Sequence, residues 1–584
     1  MNNNNNFIAF VVLSALLLMG FQYFYVKPMM AAHPQIQTGA QTVTQTATHM
    51  GNPDINSAKE PDARRNRAEA VKENPRLVVT TPELKGTINL KGARFDDMLL
   101  NSYHETVDPT SAPVTLLSPS GSAAPHDAFY TELGWLGETS DIKVPTSDSV
   151  WITADKDINP KHSARLTWSN NAGLNFERTI AVDEHFMFTV TDRVTNSSGK
   201  DVTLYPFGTV ARRGNPVTRA AAVLHEGPLG VLGGSLQEAT YKKLIDHARM
   251  NFDSDGGWLG ITDKYWLVAL APTGTDKLNA SFQYHPSSDS DPNQGYFQSD
   301  YRGSAVTIAS GASTERITHI FIGAKRFKLL NTYMDDFNIP LFNHAIDFGW
   351  FWFLTIPFLH LLNHLGETLG SYGLAILVFT VMLKLITLPL SLKSNHSMAR
   401  MKDLQPEIKK LQERYAEDKL KLNQETMELF KREKVNPMSG CVPMLIQIPI
   451  FFALYKVLYV GIELRQAPFY GWIKDMSLPD PTSALTLFGL VPVDLPPAMH
   501  IGAWPILMGV GMFLQQRMSP QPMADKTQAR MMMMMPIIFT YMLASMPAGL
   551  VIYWTWSNLL SIGQQWYITR VDAKRRAAAK AIAP

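Results

Sequence analysis

Cysteine is almost absent. The 584 residues contain one, Cys441, which excludes an internal disulfide, and with no His or carboxylate at ligand spacing beside it this thiol reads as a small packed residue. The sequence also lacks G-x-x-x-x-G-K-[ST], H-E-x-x-H and G-x-S-x-G, so neither nucleotide hydrolysis nor a common protease or lipase design is indicated. No Asp or Glu stands in the middle third of the long apolar segments, which argues against a proton- or cation-coupled transporter. Net charge is small as well. Lys and Arg number 53 against 51 Asp and Glu, and the resulting +2 is too little for bulk nucleic-acid binding.

What is present is strongly segregated. Residues 1–27 contain the apolar stretch "FIAFVVLSALLLMGFQYFYV", long enough to cross a hydrocarbon core of about 30 Å. A signal peptide is the alternative, but no Lys or Arg precedes the stretch and no small-x-small site follows it, which favours a retained anchor. Residues 28–75 are rich in Thr, Gln, Ala, Asn and Pro without apolar period and read as a flexible linker. Over 76–335 short alternating runs such as "ARLTWSN", "LNFERTIAV" and "HFMFTVTDRVTN" are broken by Gly, Pro, Asn and Asp, the pattern of a large antiparallel β-sandwich. His104, Glu184 and His185 lie in this region and read as scattered surface residues rather than an acid/base site.

From 339 to 570 the chain turns apolar. An aromatic-rich stretch over 341–366 suggests an interfacial helix, its His360 and His364 being polar positions on that helix rather than metal ligands. Five spans follow at about 372–392, 438–462, 499–516, 531–545 and 549–568, six with the N-terminal anchor. The loop Lys393–Asn436 carries 11 Lys and Arg, and the tail 571–584 is basic. By the positive-inside rule both are cytoplasmic, which sends the β region to the opposite side.

Within the loop, Met401, Leu404, Ile408, Leu411 and Tyr415 recur at steps of 3 and 4, and a second helix carries Leu422, Met427, Leu429 and Phe430. That is the seam of a helical hairpin over 395–435, either a solvated connector or a docking surface. The methionine run opening the fifth span suits either lipid contact or a surface that accepts varied apolar partners.

The chemically costly feature is Lys384, inside "LAILVFTVMLKLITLPL". A lysine near the centre of a span costs about 2.5–3.5 kcal/mol. Its Cα lies about 13 Å along the helix from the level of Lys393, beyond the reach of its stem. Thr380 and Thr387 share its helix face. The stripe is either a partly snorkelling lysine with tolerated threonines or one wall of a hydrated cavity. In the second case other spans must contribute polar residues, and Gln447, Tyr553, Ser557 and Asn558 are the candidates. Lys456, nearer its span's outer end, reads as snorkelling.

The segments "YGLAILVFTVMLKLITLPL", "KVNPMSGCVPMLIQIPIFFALYKVLYVGIELRQAPF", "GWIKDMSLPDP", "MFLQQRMSP" and "MPIIFTYMLASMPAGLVIYWTWSNLLSIGQQ" resemble the YidC/Oxa/Alb family of membrane protein insertases. The resemblance implies a multi-domain membrane protein: an α-helical transmembrane bundle with a five-helix insertase core, plus a large periplasmic all-β supersandwich. It implies a hydrophilic groove open to cytoplasm and lipid, with Lys384 as its cation, five residues before Pro389. Thr380, Gln447 and Tyr553 fall on positions that line the groove or meet substrate. The family pattern has arginine where this chain has Lys384, and a point-charge role survives that change better than a bidentate one. Other departures are Lys456 and the longer stretch "TSALTLFGLVPVDLPPAMHIGAW". The implied partners are nascent membrane proteins, a Sec-type translocon, the ribosome and the lipid bilayer, with no cofactor and no catalytic residue. A solute channel with Lys384 as anion site, and an envelope-carbohydrate enzyme built on the β region, are the competing functions.

Overall fold

The computed structural model describes residues 64–582 except 217–223, 275, 288–290, 416–417, 434, 436–441, 490–499 and 519–525. The expected N-terminal anchor, most of the linker, Cys441 and part of the long stretch before the fourth expected span lie outside the described residues. The chain forms two compact units, one ending at Asp347 and one running from Phe348.

The first unit is built on two sheets, one of eleven strands and one of eight. Alternation of side chains drives the pairing. The strands Leu174–Val182 and Met187–Asn196 each place alternate residues inward and pair antiparallel with Leu174 opposite Asn196 and Val182 opposite Phe188. In the larger sheet Val202–Arg213 runs between Phe129–Gly137 and Tyr296–Arg302. The short Asp157–Ile158 strand is the exception to the antiparallel expectation, pairing parallel with Val78 and Val79.

The core lies between the two sheets. Phe95 of the larger meets Phe188 of the smaller edge-on at 5.3 Å. Arg178, fully buried, makes two bonds of 2.6 and 2.7 Å to Asp192 and a third, of 3.0 Å, to the Leu133 carbonyl on the other sheet. A buried guanidinium is tolerable only with that degree of satisfaction.

Lys325 is buried at the end of the strand Ser313–Ala324 and donates to Thr262 Oγ1 at 2.8 Å. Burial pulls its ammonium down to about 8. Between pH 8 and the usual lysine value near 10.4 the unfolded chain binds a proton that the folded unit does not, so stability rises with pH across that window. The expected gain is about 3 kcal/mol at most. It should appear in urea unfolding of the β unit between pH 8 and 10.5 and be absent from Lys325→Met.

The second unit is helical: α1 Trp352–Leu369, α2 Tyr372–Asp403, α3 Gln405–Arg414, α4 Lys419–Arg432, α5 Val442–Val460, α6 Ala503–Met518, α7 Lys526–Leu543 and α8 Ala548–Ile582. Among the described residues one stretch, Tyr372–Ser394, is by itself long and apolar enough to cross a membrane, while Leu445–Val460 and Met533–Leu543 are apolar but shorter. Prolines 357, 389, 449 and 536 sit inside α1, α2, α5 and α7, each withholding an N–H from the carbonyl four residues earlier.

Several boundaries differ from the sequence expectation, among them the last span, expected over 549–568, which continues as helix to Ile582. The helix expected over 341–366 starts only at Trp352, because Leu341 is left-handed at φ 51 and Gly349 turns the chain at φ 69. A Cβ at Gly349 would also stand 2.9 Å from Lys456 Cε, so a side chain is excluded there twice over. The span expected to end near 392 continues as helix to Asp403. The seam from Met401 to Tyr415 is then interrupted at Leu404, since Pro406 has no N–H for the preceding turn and disfavours helix before it.

Candidate functional site

α8 positions most of the polar side chains. Tyr553, Ser557 and Ser561 recur every four residues and form a stripe about 12 Å long on one side of the helix. Two other helices send polar groups to this stripe. From α2, Lys384 Nζ donates to Ser561 Oγ at 2.8 Å, and from α5, Gln447 Nε2 donates to Tyr553 Oη at 2.8 Å. Asn558, one residue round from Ser557, donates to the Met508 carbonyl of α6 at 3.4 Å. Four helices therefore meet through hydrogen bonds made by residues of α8.

The candidates separate into two kinds. Lys384, Gln447 and Thr387 are half-buried, whereas Tyr553, Ser557, Asn558 and Thr380 are buried. Thr380 and Thr387 share a face with Lys384 but do not bond to its ammonium. The Thr380 hydroxyl donates to the Ile376 carbonyl at 2.6 Å and the Thr387 hydroxyl to that of Leu383 at 2.9 Å. Both thus satisfy themselves within α2. The sequence reading missed Ser561, which among the described residues is the one that bonds Lys384, although its spacing from Tyr553 and Ser557 marked it.

Beside the polar line lies an apolar core in which Met508, Leu543 and Val551 pack with Phe451, Phe539 and Trp554. The Phe451 and Trp554 rings meet at 4.9 Å. Away from this core, Leu385 and Ile386 of α2 are 62% and 73% exposed, and Ile537, Ile538 and Tyr541 of α7 are likewise bare. Apolar side chains thus point outward while polar ones point toward α8, the inverse of a water-soluble bundle.

Electrostatically the site is a lone cation. Among the described residues no carboxylate lies within ion-pair distance of Lys384, and Ser561 is its hydrogen-bond partner. A bond between a charged donor and a hydroxyl contributes about 1.5–3 kcal/mol, comparable with the cost of the buried lysine. Two further N–H donors on Nζ are left for water or an incoming acceptor.

The hairpin residues fall on three helices, the end of α2, α3 and α4. Met401 and Ile408 are buried, Leu404, Leu411 and Tyr415 half-buried, and Leu429 closes the core from α4. Met427, expected inside, is exposed together with Leu420 one heptad earlier. Arg432 pairs with Glu407 across the hairpin at 3.4 Å. In the β unit, His185 bonds Glu83 at 2.7 Å and His104 the Ser111 carbonyl at 2.8 Å, so His104, Glu184 and His185 are not assembled into one site.

Residues 76–361 match the family model described as YidC periplasmic domain, and residues 364–575 match the one described as 60Kd inner membrane protein. The chain is 45% identical over 576 residues to the membrane protein insertase YidC of Sinorhizobium fredii, covering 98% of this chain and 96% of that one. It is 46% identical over 582 residues to the membrane protein insertase YidC of Granulibacter bethesdensis, covering 98% of both. A crystal structure of an active YidC insertase with the first transmembrane domain resolved is similar over 85% of this chain and 96% of that chain, at 16% identity and a TM-score of 0.34. With sequence relatives of this identity along its whole length, the chain belongs to the YidC family of membrane protein insertases.

Proposed function

We propose that this chain inserts hydrophobic nascent polypeptides into the inner membrane by taking their polar flank into a hydrated groove bounded by α2, α5 and α8, with Lys384 as its attracting charge. It is an insertase and not an enzyme. The observation that carries the reading is the half-buried ammonium of Lys384, bonded to one hydroxyl and without a carboxylate among the described residues. A cation kept in an apolar helix at that cost has use for the acceptor oxygens of a passing segment. An anion channel would use the same charge, but family membership favours insertion.

In this reading a nascent segment reaches the cytoplasmic hairpin, and its acidic or polar flank enters beside Lys384. Its apolar part then passes over the bare faces of α2 and α7 into lipid. The groove lowers the barrier by keeping the flank hydrated partway across, and release is driven by apolar burial, so no nucleotide is spent. The arrangement is six spans with both termini cytoplasmic and the β unit, a supersandwich, in the periplasm. A Sec-type translocon and the ribosome are the partners that supply substrate. The basic hairpin and tail support this orientation, and the hairpin's exposed Leu420 and Met427 support a docking role.

The test is thiol accessibility. In a Cys441→Ser background, single Lys384→Cys and Thr387→Cys variants are expected to react with a membrane-impermeant reagent added from the cytoplasmic side. Thr380→Cys, whose position is 1% exposed, is expected to be protected. Protection at 384 and 387 together with normal insertion by Lys384→Ala would remove the groove reading.

A further inference from the structure

We propose that Ser561 is a positioning residue for Lys384, holding its ammonium on the α8 wall so that two N–H donors face an entering substrate flank. The inference rests on the groove reading of Lys384 and adds to it a second residue and a geometry.

The hydrogen-bond roles fix the assignment. Ser561 Oγ donates its own proton to the Ser557 carbonyl at 2.9 Å. With that proton committed, the hydroxyl can only accept, and what it accepts is the Lys384 N–H at 2.8 Å. In this orientation Ser561 has no donor to offer an anion, so it serves a cation and not a substrate carboxylate. The hydroxyls of α2 cannot replace it. Thr380 and Thr387 are back-bonded in the same way to the Ile376 and Leu383 carbonyls and are acceptors too, but they stand on the helix of Lys384 itself and neither bonds Nζ.

The bond also spans the bundle. Lys384 and Ser561 lie 177 residues apart, on α2 and α8. A lysine stem has four rotatable bonds, and without this contact its head is free to swing toward the cytoplasmic end of α2. Tethered, it stays beside the stripe that runs from Tyr553 through Ser557. A single acceptor suits the compact ammonium of lysine, whereas a planar guanidinium spreads its donors over a fork. The single acceptor that Ser561 offers thus matches the ammonium of Lys384.

The test compares insertion, by the full chain in proteoliposomes, of one single-span substrate carrying either an acidic or a neutral translocated flank. Loss of a bond to a charged group corresponds to at least about tenfold in occupancy of the tethered position. Ser561→Ala is therefore expected to lower insertion of the acidic-flank substrate by about that factor and to spare the neutral one. Ser561→Thr should restore it, and Ser561→Ala should add nothing to Lys384→Ala. If Ser561→Ala does not accumulate, Ser561→Cys, similar in size and a poor acceptor, takes its place.

A Ser561 defect that is equal for both substrates, additive with Lys384→Ala, or not rescued by threonine would overturn the positioning role. A silent Ser561→Ala beside a defective Lys384→Ala would remove that role alone. A silent Lys384→Ala would remove the attracting role of the lysine and this inference with it.

Discussion

Lys384→Glu is expected to stop insertion of substrates whose translocated flank is acidic, with Lys384→Arg keeping most of the activity. The size of the effect follows from the site. Two unit charges about 4 Å apart interact by about 4 kcal/mol at an effective dielectric of 20, and reversing one sign turns that attraction into repulsion of the same order. Even a quarter of the full swing corresponds to more than about tenfold in partition into the groove. Glutamate is also poorly received by the neighbour that lysine uses, because the Ser561 proton is bonded to the Ser557 carbonyl. The substitution thus removes a satisfied cation and leaves an anion facing a hydroxyl that must first break its own bond. Protease protection of radiolabelled substrate in inverted vesicles reads the outcome. A lysine placed in the substrate flank should recover insertion by Lys384→Glu. Undiminished insertion of an acidic flank by Lys384→Glu would show that the charge is not what draws the substrate.

Much of this arrangement is written in local sequence, and the remainder is not local. Alternation in "LNFERTIAV" and "HFMFTVTDRVTN" specifies paired strands because each side chain's face is set by parity alone. The same argument put Thr380, Lys384 and Thr387 on one face of α2. Sharing a face did not make them partners, since a helical threonine satisfies itself on the carbonyl four residues back, and burial of Thr380 depends on packing. Nor does periodicity say which helix stands opposite. Ser561 was visible as the next residue in a four-residue spacing on α8, yet its bond to Lys384 depends on how α2 and α8 come together. The break at Leu404 was legible in Pro406 and was overridden by the regular apolar spacing on either side of it.

The second large effect is expected far from the lysine, at Asp480. This carboxylate is buried, and Oδ1 accepts from Trp472 Nε1 at 3.0 Å, from the Thr482 amide at 3.0 Å and from the Thr482 hydroxyl at 2.7 Å. Oδ2 accepts from the Trp504 amide at 2.9 Å, and Thr482 Oγ1 accepts from the Ala503 amide at 3.0 Å. The first N–H groups of α6 are therefore capped from a loop more than twenty residues upstream, by a negative charge where the helix dipole favours one. The fit is tight, for a Cβ on Gly502 would stand 2.5 Å from the Asp480 side chain. Asp480→Ala strands several donors of a charge-assisted network at once and is expected to cost more than about 3 kcal/mol. In detergent this should lower the unfolding midpoint by about 6 °C or more. Asp480→Asn keeps one acceptor but turns an amide toward donors, and should fall between the two. The consequence reaches the proposed groove through α6, whose Met508 carbonyl receives Asn558 of α8. A loosened α6 loses its hold on the helix that carries Ser561, so residual Asp480→Ala protein should insert acidic-flank substrates poorly although Lys384 is intact. An unchanged midpoint in Asp480→Ala would show that α6 is seated by its apolar contacts alone.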